Sequence, residues 1–96
     1  MKRYIKSSRD GWRNSWQYRK VKDLGYDVEV SDREVIIRFD DGDIYADFKL
    51  IPPDPDDEYG IWLVKDKGVY IQEEFDFTHT YDEVVTGCLY YFLTRY

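Results

Sequence analysis

Three residues of a predicted hairpin have the types and spacing needed for metal-dependent hydrolysis. Asp40 or Asp41 stands at a turn, and Asp47 and Lys49 share one face of the strand that follows. Two carboxylates on adjacent strands can hold Mg²⁺, while a lysine on the same face supports the attacking water. A metal-dependent nuclease centred on Asp40, Asp47 and Lys49 is therefore one function to weigh.

This order of residues resembles the D…[D/E]-x-K metal-binding pattern of a large nuclease superfamily. The resemblance implies that the aspartates are metal ligands and that Lys49 assists the nucleophile. The fold of that superfamily also needs flanking helices and a crossover connection, whereas the strands here follow one another in a local meander. We therefore expect a solvent-facing hairpin surface at these positions.

The single histidine and the single cysteine exclude other kinds of site. His79 and Cys88 provide neither an internal disulfide nor the four ligands of a structural zinc site. A catalytic pair of these two residues is an alternative, but Cys88 falls on the apolar stripe of a predicted helix, where cysteine packs as a small hydrophobic residue. The acidic loops match no calcium motif, and no glycine-rich phosphate loop is present. We expect a protein that is not an enzyme and has no cofactor.

Charge is divided unequally along the chain. Residues 1–22 hold eight lysines and arginines and one aspartate, a net charge of +7, whereas residues 23–96 hold six basic and 19 acidic residues, a net charge of −13. This division predicts either contacts with charged partners or packing of the basic, aromatic segment 1–22 across the acidic body 23–96.

Acidic residues concentrate in two predicted loops. A rigid array of carboxylates resembles a phosphate backbone and can occupy the basic groove of a nucleic-acid-binding protein, provided that cations of the same chain do not cancel it. The alternative is ordinary solubilising charge. The candidate partner-binding residues are Asp40, Asp41, Asp43, Asp54, Asp56, Asp57 and Glu58.

The basic segment offers a second type of surface. Its aromatic and cationic residues have the composition of a surface on which nucleic-acid bases stack, and the candidates are Trp12, Arg13, Trp16, Arg19 and Lys20. The structural alternative is that the aromatics pack on the sheet. Because a body of this negative charge repels phosphate, we expect direct nucleic-acid binding to be the second choice.

Two helices are predicted, one at each end of the chain. The first runs from Asp10 to Leu24, where Gly25 and Tyr26 have the positions of a Schellman ending. Ahead of it, residues 4–5 (Tyr-Ile) could form a short edge strand.

The second helix begins after Thr80, which forms a capping box with Glu83. Its residues recur at helical spacing to give an apolar stripe that should lie on a sheet. The stripe comprises Tyr81, Val84, Val85, Cys88, Leu89 and Phe92.

Alternating apolar residues between the helices predict an antiparallel meander of about five strands. Residues 26–31, 34–40 and 44–50 form the first three, and Asp41-Gly42 is typical of a two-residue type I′ loop between the last two. That loop pairs residue 39 with 44, 37 with 46 and 35 with 48. After a proline-rich loop at 51–60, a second hairpin joins residues 61–65 to residues 69–73.

The whole chain is therefore expected to form one α+β domain, residues 1–96, with the sheet covered by the C-terminal helix. Hydrophobic residues make up 43% and aromatic residues 19%, enough for a core in a chain of 96 residues. No apolar run approaches the roughly 20 residues of a membrane span, and no signal-peptide core follows the first cations. With one cysteine, a cytoplasmic protein without membrane contacts is expected.

The opening MKRYIKSS and the short, tyrosine-rich acidic body resemble small accessory proteins of bacteriophages and mobile elements of Gram-positive bacteria. Anti-CRISPR and anti-restriction inhibitors, often acidic α+β domains of this size, are the best-known functional class among them. The resemblance implies an inhibitor in the cytoplasm of a host bacterium, with a partner such as a CRISPR effector. The first expectation is thus an acidic nucleic-acid mimic that blocks the nucleic-acid-binding surface of a host defence nuclease. The alternative is a small binder of single-stranded nucleic acid.

Overall fold

The computed structural model describes residues 10–57, 60–75 and 78–96, and within them it confirms the predicted α+β meander. Five antiparallel strands form one sheet in chain order, so each strand pairs with its sequence neighbour. The residues expected to form an edge strand, 4–5, lie outside the described residues. The elements are α1 (Trp16–Asp23), β1 (Asp27–Val30), β2 (Glu34–Arg38), β3 (Ile44–Ile51), β4 (Leu63–Asp66), β5 (Val69–Tyr70) and α2 (Tyr81–Arg95).

The predicted helix from Asp10 to Leu24 is divided at Ser15 into a 3₁₀ turn and a shorter α-helix. Residues Gly11–Asn14 form a 3₁₀ turn, and α1 begins only after Ser15. The Ser15 hydroxyl accepts a hydrogen bond from the Tyr18 amide at 3.2 Å and donates to the Trp12 carbonyl at 2.6 Å. A serine that caps one helix and closes the preceding turn separates the two segments.

The other predicted helix termini are confirmed. At the end of α1, Gly25 has φ 98° and donates to the Lys22 carbonyl at 2.9 Å, while the Tyr26 amide bonds back to the helix as the Schellman motif requires. At the start of α2, the Thr80 hydroxyl accepts from the Glu83 amide at 3.2 Å and the Glu83 carboxylate accepts from the Thr80 amide at 2.9 Å.

The loop between β2 and β3 has three residues, so the predicted type I′ turn is wrong. The Gly42 amide donates to the Phe39 carbonyl at 2.9 Å, and the Phe39 amide donates to the Asp43 carbonyl at 2.8 Å. Gly42 has φ 95°, a conformation that favours glycine at the end of a three-residue loop. Phe39 therefore faces Asp43, and its predicted pairing with Ile44 is wrong.

A β-bulge restores the predicted register further along this hairpin. Arg38 pairs with Ile44 and Ile37 pairs with Ala46, which leaves Tyr45 as the extra residue. The bulge turns Tyr45 towards the helices, where its ring packs edge-on against Phe92 at 5.3 Å. Ile44, predicted on the core face, is 52% exposed.

The second hairpin is shorter and tighter than predicted. It joins β4 to β5 through Lys67 and Gly68, both with positive φ, as a two-residue type I′ loop requires. The predicted strand 69–73 ends early, because residues Gln72–Phe75 form a 3₁₀ turn that buries Phe75 against α2.

The helices cover one face of the sheet. Every residue of the predicted α2 stripe is buried, and these side chains pack with inward residues of β2, β3 and β4 and with Trp12 and Val21 from the N-terminal segment. The opposite face presents charged side chains such as Glu34, Arg38 and Lys49. Among the described helices, none combines the length and the apolar character needed to cross a bilayer.

Candidate acidic interface

The β2–β3 loop forms one acidic corner, which we call the hairpin corner and define as Asp40, Asp41 and Asp43. All three side chains belong to exposed residues. The Asp43 amide donates to Asp41 Oδ1 at 3.0 Å, and Arg38 Nη1 donates to the Gly42 carbonyl at 2.9 Å. The loop is thus held by hydrogen bonds while its carboxylates face solvent.

The loop after β3 forms a second acidic corner, the proline-loop corner, comprising Asp54, Asp56 and Asp57. The Asp56 amide donates to Asp54 Oδ1 at 3.1 Å, and the Asp57 amide donates to the Asp54 carbonyl at 2.9 Å. Gly60 closes the turn against Pro53, since a Cβ at position 60 would lie 2.4 Å from the Pro53 Cβ. Turn hydrogen bonds and this close approach hold the second corner as well.

The two corners lie at opposite ends of β3. Because that strand has eight residues and each advances the chain by about 3.3 Å, the corners are separated by about 25 Å. The structure therefore does not gather the candidate acids into one patch. They form two clusters, one in the loop at each end of β3. Glu58, the seventh candidate, lies outside the described residues.

Two cations of residues 10–22 form ion pairs away from both corners. Arg13 pairs with Asp10 at 3.4 Å, and Lys22 pairs with Asp27 at 2.9 Å, a hydrogen bond that raises the pKa of Lys22. Within the described ranges, no ion pair neutralises five of the candidate carboxylates. These are Asp40, Asp41, Asp43, Asp54 and Asp56.

The structure divides the residues proposed for nucleic-acid stacking. Trp12 is 3% exposed and belongs to the core, so its ring cannot stack on a base and its inclusion is wrong. Trp16 is 54% exposed, and Arg13, Arg19 and Lys20 are exposed as well.

Sequence reasoning missed the aromatic partner of Trp16. Tyr90 on α2 is 50% exposed, and its ring lies 5.9 Å from that of Trp16. The signal was present, because Tyr90 is two residues from both Cys88 and Phe92 and so points away from the stripe they define.

The residues of the nuclease pattern are also separated. Asp47 on β3 pairs with Ile36 on β2. Asp40 lies four residues after Ile36 in the chain, so it is about 13 Å from Asp47 along the strand direction. Asp47 instead shares the exposed sheet face with Glu34 and Lys49. Among the described residues, no group of three histidine, cysteine or acidic side chains is placed to hold a metal ion.

Lys49 is the centre of that face cluster. Its Nζ donates to Glu34 and, at 3.3 Å, to Asp47 Oδ2. The hydrogen bond from Lys49 lowers the pKa of Glu34, whereas burial and the neighbouring Glu34 raise the pKa of Asp47. Asp47 Oδ1 is buried without a hydrogen-bond partner.

His79 and Cys88 are not arranged as a catalytic pair. His79 Nδ1 lies 3.0 Å from the Gly60 carbonyl, and Cys88 lies eight residues beyond Thr80, about 12 Å along α2. Burial raises the pKa of the Cys88 thiol well above its usual range, so the thiol stays protonated.

Comparison of the chain with protein-family models, with curated proteins and with solved structures finds no match.

Proposed function

We propose that this chain is a non-enzymatic interaction protein that inhibits a host defence nuclease by presenting its two acidic corners to the nuclease's nucleic-acid-binding surface. The observation that carries the proposal is the set of five exposed carboxylates that no described cation neutralises, namely Asp40, Asp41, Asp43, Asp54 and Asp56. Such groups keep their full charge for a partner, whereas acids in an internal ion pair would have to exchange one cation for another.

The rigidity of both corners supports binding. Each turn is closed by backbone hydrogen bonds and by an aspartate side chain that accepts from the backbone two residues later. Little conformational entropy is then lost when the carboxylates meet a partner.

The separation of the corners favours an extended basic surface. Phosphates follow one another along nucleic acid every few ångström, so a channel that binds nucleic acid carries cations along its length. Two clusters about 25 Å apart on β3 can contact such a channel at two points. The proposed partner is therefore a nucleic-acid-binding nuclease such as a CRISPR effector, in the cytoplasm of a bacterial host.

Capture by the tagged protein from a bacterial lysate, followed by a cleavage assay with the captured nuclease, tests the proposal. Asp40→Lys and Asp56→Lys each reverse one charge in one corner, at side chains that make no hydrogen bond of their own among the described residues. We expect each variant to weaken inhibition, and the double variant to weaken it most, because both corners contact the partner.

Glu73→Lys is the matched control, since it reverses an exposed carboxylate in the 3₁₀ turn before α2, outside both corners. It should leave inhibition within about twofold of the wild type, as expected for a charge outside the interface. If the double corner variant inhibits as well as Glu73→Lys does, or if the captured nuclease cleaves normally with the wild-type protein bound, the proposal is wrong.

A further inference from the structure

An exposed aromatic pair joins the two helices on the side away from the sheet. Trp16 of α1 and Tyr90 of α2 are 54% and 50% exposed, and their rings meet edge to face with centroids 5.9 Å apart and planes at 83°. In this geometry the edge of one ring covers at most one face of the other. Each ring therefore keeps at least one face uncovered by its neighbour.

Cations accompany the pair on α1. Lys20 lies one turn beyond Trp16 on the same side of the helix and makes no ion pair within the described residues. Arg19 is also exposed, and its Nη1 donates to the Asn14 carbonyl at 2.7 Å, which holds the guanidinium beside the start of the helix. An ammonium group and a guanidinium group thus lie within one turn of the indole.

Acidic residues around this surface are few or paired. Glu74 lines the same small cavity as Tyr90, and its carboxylate pairs with Arg95. On α2 the positions one turn before and after Tyr90 are Thr86 and Thr94, whose hydroxyls donate to backbone carbonyls. On the same side of α1, Asp23 lies seven residues beyond Trp16, about 10 Å along the axis. The immediate surroundings of the two rings therefore carry net positive charge.

We propose that Trp16, Tyr90, Arg19 and Lys20 form a binding surface for single-stranded nucleic acid, distinct from the two acidic corners. Bases stack on free aromatic faces, and cations a few ångström away bind the phosphates between them. A duplex does not offer its base faces, so the surface should prefer single strands. Two cations release few counterions, so the affinity is modest and falls gently as salt rises, and repulsion by the acidic body lowers it further at low salt.

Fluorescence anisotropy with the full chain and a labelled single-stranded DNA of about 15 nucleotides tests this site, a length within the range that small stacking domains cover. We expect binding at low salt that weakens as salt rises, and weaker binding to a duplex of the same sequence. Trp16→Ala and Tyr90→Ala should each reduce affinity about tenfold, and Lys20→Glu should reduce the salt dependence.

Tyr70→Ala is the matched control, because Tyr70 is 52% exposed and has Lys65 Nζ 4.7 Å from its ring, on the far edge of the sheet. Its affinity should stay within about twofold of wild type, since no second ring accompanies it. The proposal is overturned if the DNA does not bind at low salt or if Tyr70→Ala weakens binding as much as Trp16→Ala does. It is equally overturned if a labelled oligoglutamate peptide binds as tightly as the DNA, because stacking would then play no part.

Discussion

Replacing Asp47 by asparagine should stabilise the protein at neutral pH. One carboxylate oxygen of Asp47 is buried without a hydrogen-bond partner, next to the carboxylate of Glu34. Leaving such an oxygen unpaired costs about 1–3 kcal/mol. The amide of asparagine can donate to Glu34 and still accept from Lys49. The ion pair that is lost is exposed to solvent and contributes little.

The balance is a stabilisation of about 1 kcal/mol at pH 7, equivalent to a rise in melting temperature of about 4–8 °C for a domain of this size. The pH dependence follows from the direction of the pKa shift. Burial and Glu34 raise the folded-state pKa of Asp47 above the ordinary value of 3.8. Below pH 3.8 Asp47 is protonated in both the folded and the unfolded protein, so it does not lower the free energy of unfolding. As pH rises through the folded-state pKa, the carboxyl group ionises and the free energy of unfolding falls. The advantage of Asp47→Asn should thus disappear near pH 3.

Urea denaturation at pH 7 and at pH 3 measures both quantities, with Asp56→Asn as the control. Asp56 is exposed, so its replacement should change the free energy of unfolding by less than about 0.5 kcal/mol. A loss of stability in Asp47→Asn at pH 7 would refute the reasoning, because the pair with Lys49 would then outweigh the cost of burial. An equal gain at both pH values would show that the ionised carboxylate is not the cause.

Three further predictions concern α2. Gly87→Ala places a Cβ 2.7 Å from a ring carbon of buried Phe75, so overpacking should exceed the gain in helix propensity and lower the free energy of unfolding by about 1 kcal/mol; a more stable variant would contradict this. Thr80→Ala removes the hydroxyl that accepts from the Glu83 amide and should cost about 1 kcal/mol in thermal or urea unfolding, whereas an unchanged midpoint would mean that the cap is unimportant. Cys88 should react with a thiol reagent only at the rate of unfolding, and labelling within seconds in native buffer would contradict its burial.

Local signals determined the parts of the fold that the sequence predicted well. The Schellman ending at Gly25 and the capping box at Thr80 involve residues within one turn of each other, and both are present. The apolar stripe of α2 is buried throughout because its spacing leaves one face of the helix apolar. Alternation of apolar residues likewise gives each strand one apolar face, and this local pattern was sufficient to predict a meander of adjacent strands.

The tertiary structure decided the turns, because more than one loop length fits an Asp-Gly pair. A three-residue loop at residues 40–42 moved the register by one position, and the bulge at Tyr45 moved it back, which allows that ring to pack against Phe92. Neither change is visible in the alternation of residues 35–48, since burying the aromatic ring depends on a helix almost 50 positions away in sequence.

The candidate surfaces depended on the fold in the same way. The sequence alone showed which residues carry charge, but the length of β3 sets the acidic loops about 25 Å apart. Composition also grouped Trp12 with Trp16, whereas packing of the 3₁₀ turn against the two helices buries the first, and the second stays exposed beside Tyr90. Which charges and rings share a surface is determined by contacts between distant segments, and a linear pattern does not record those contacts.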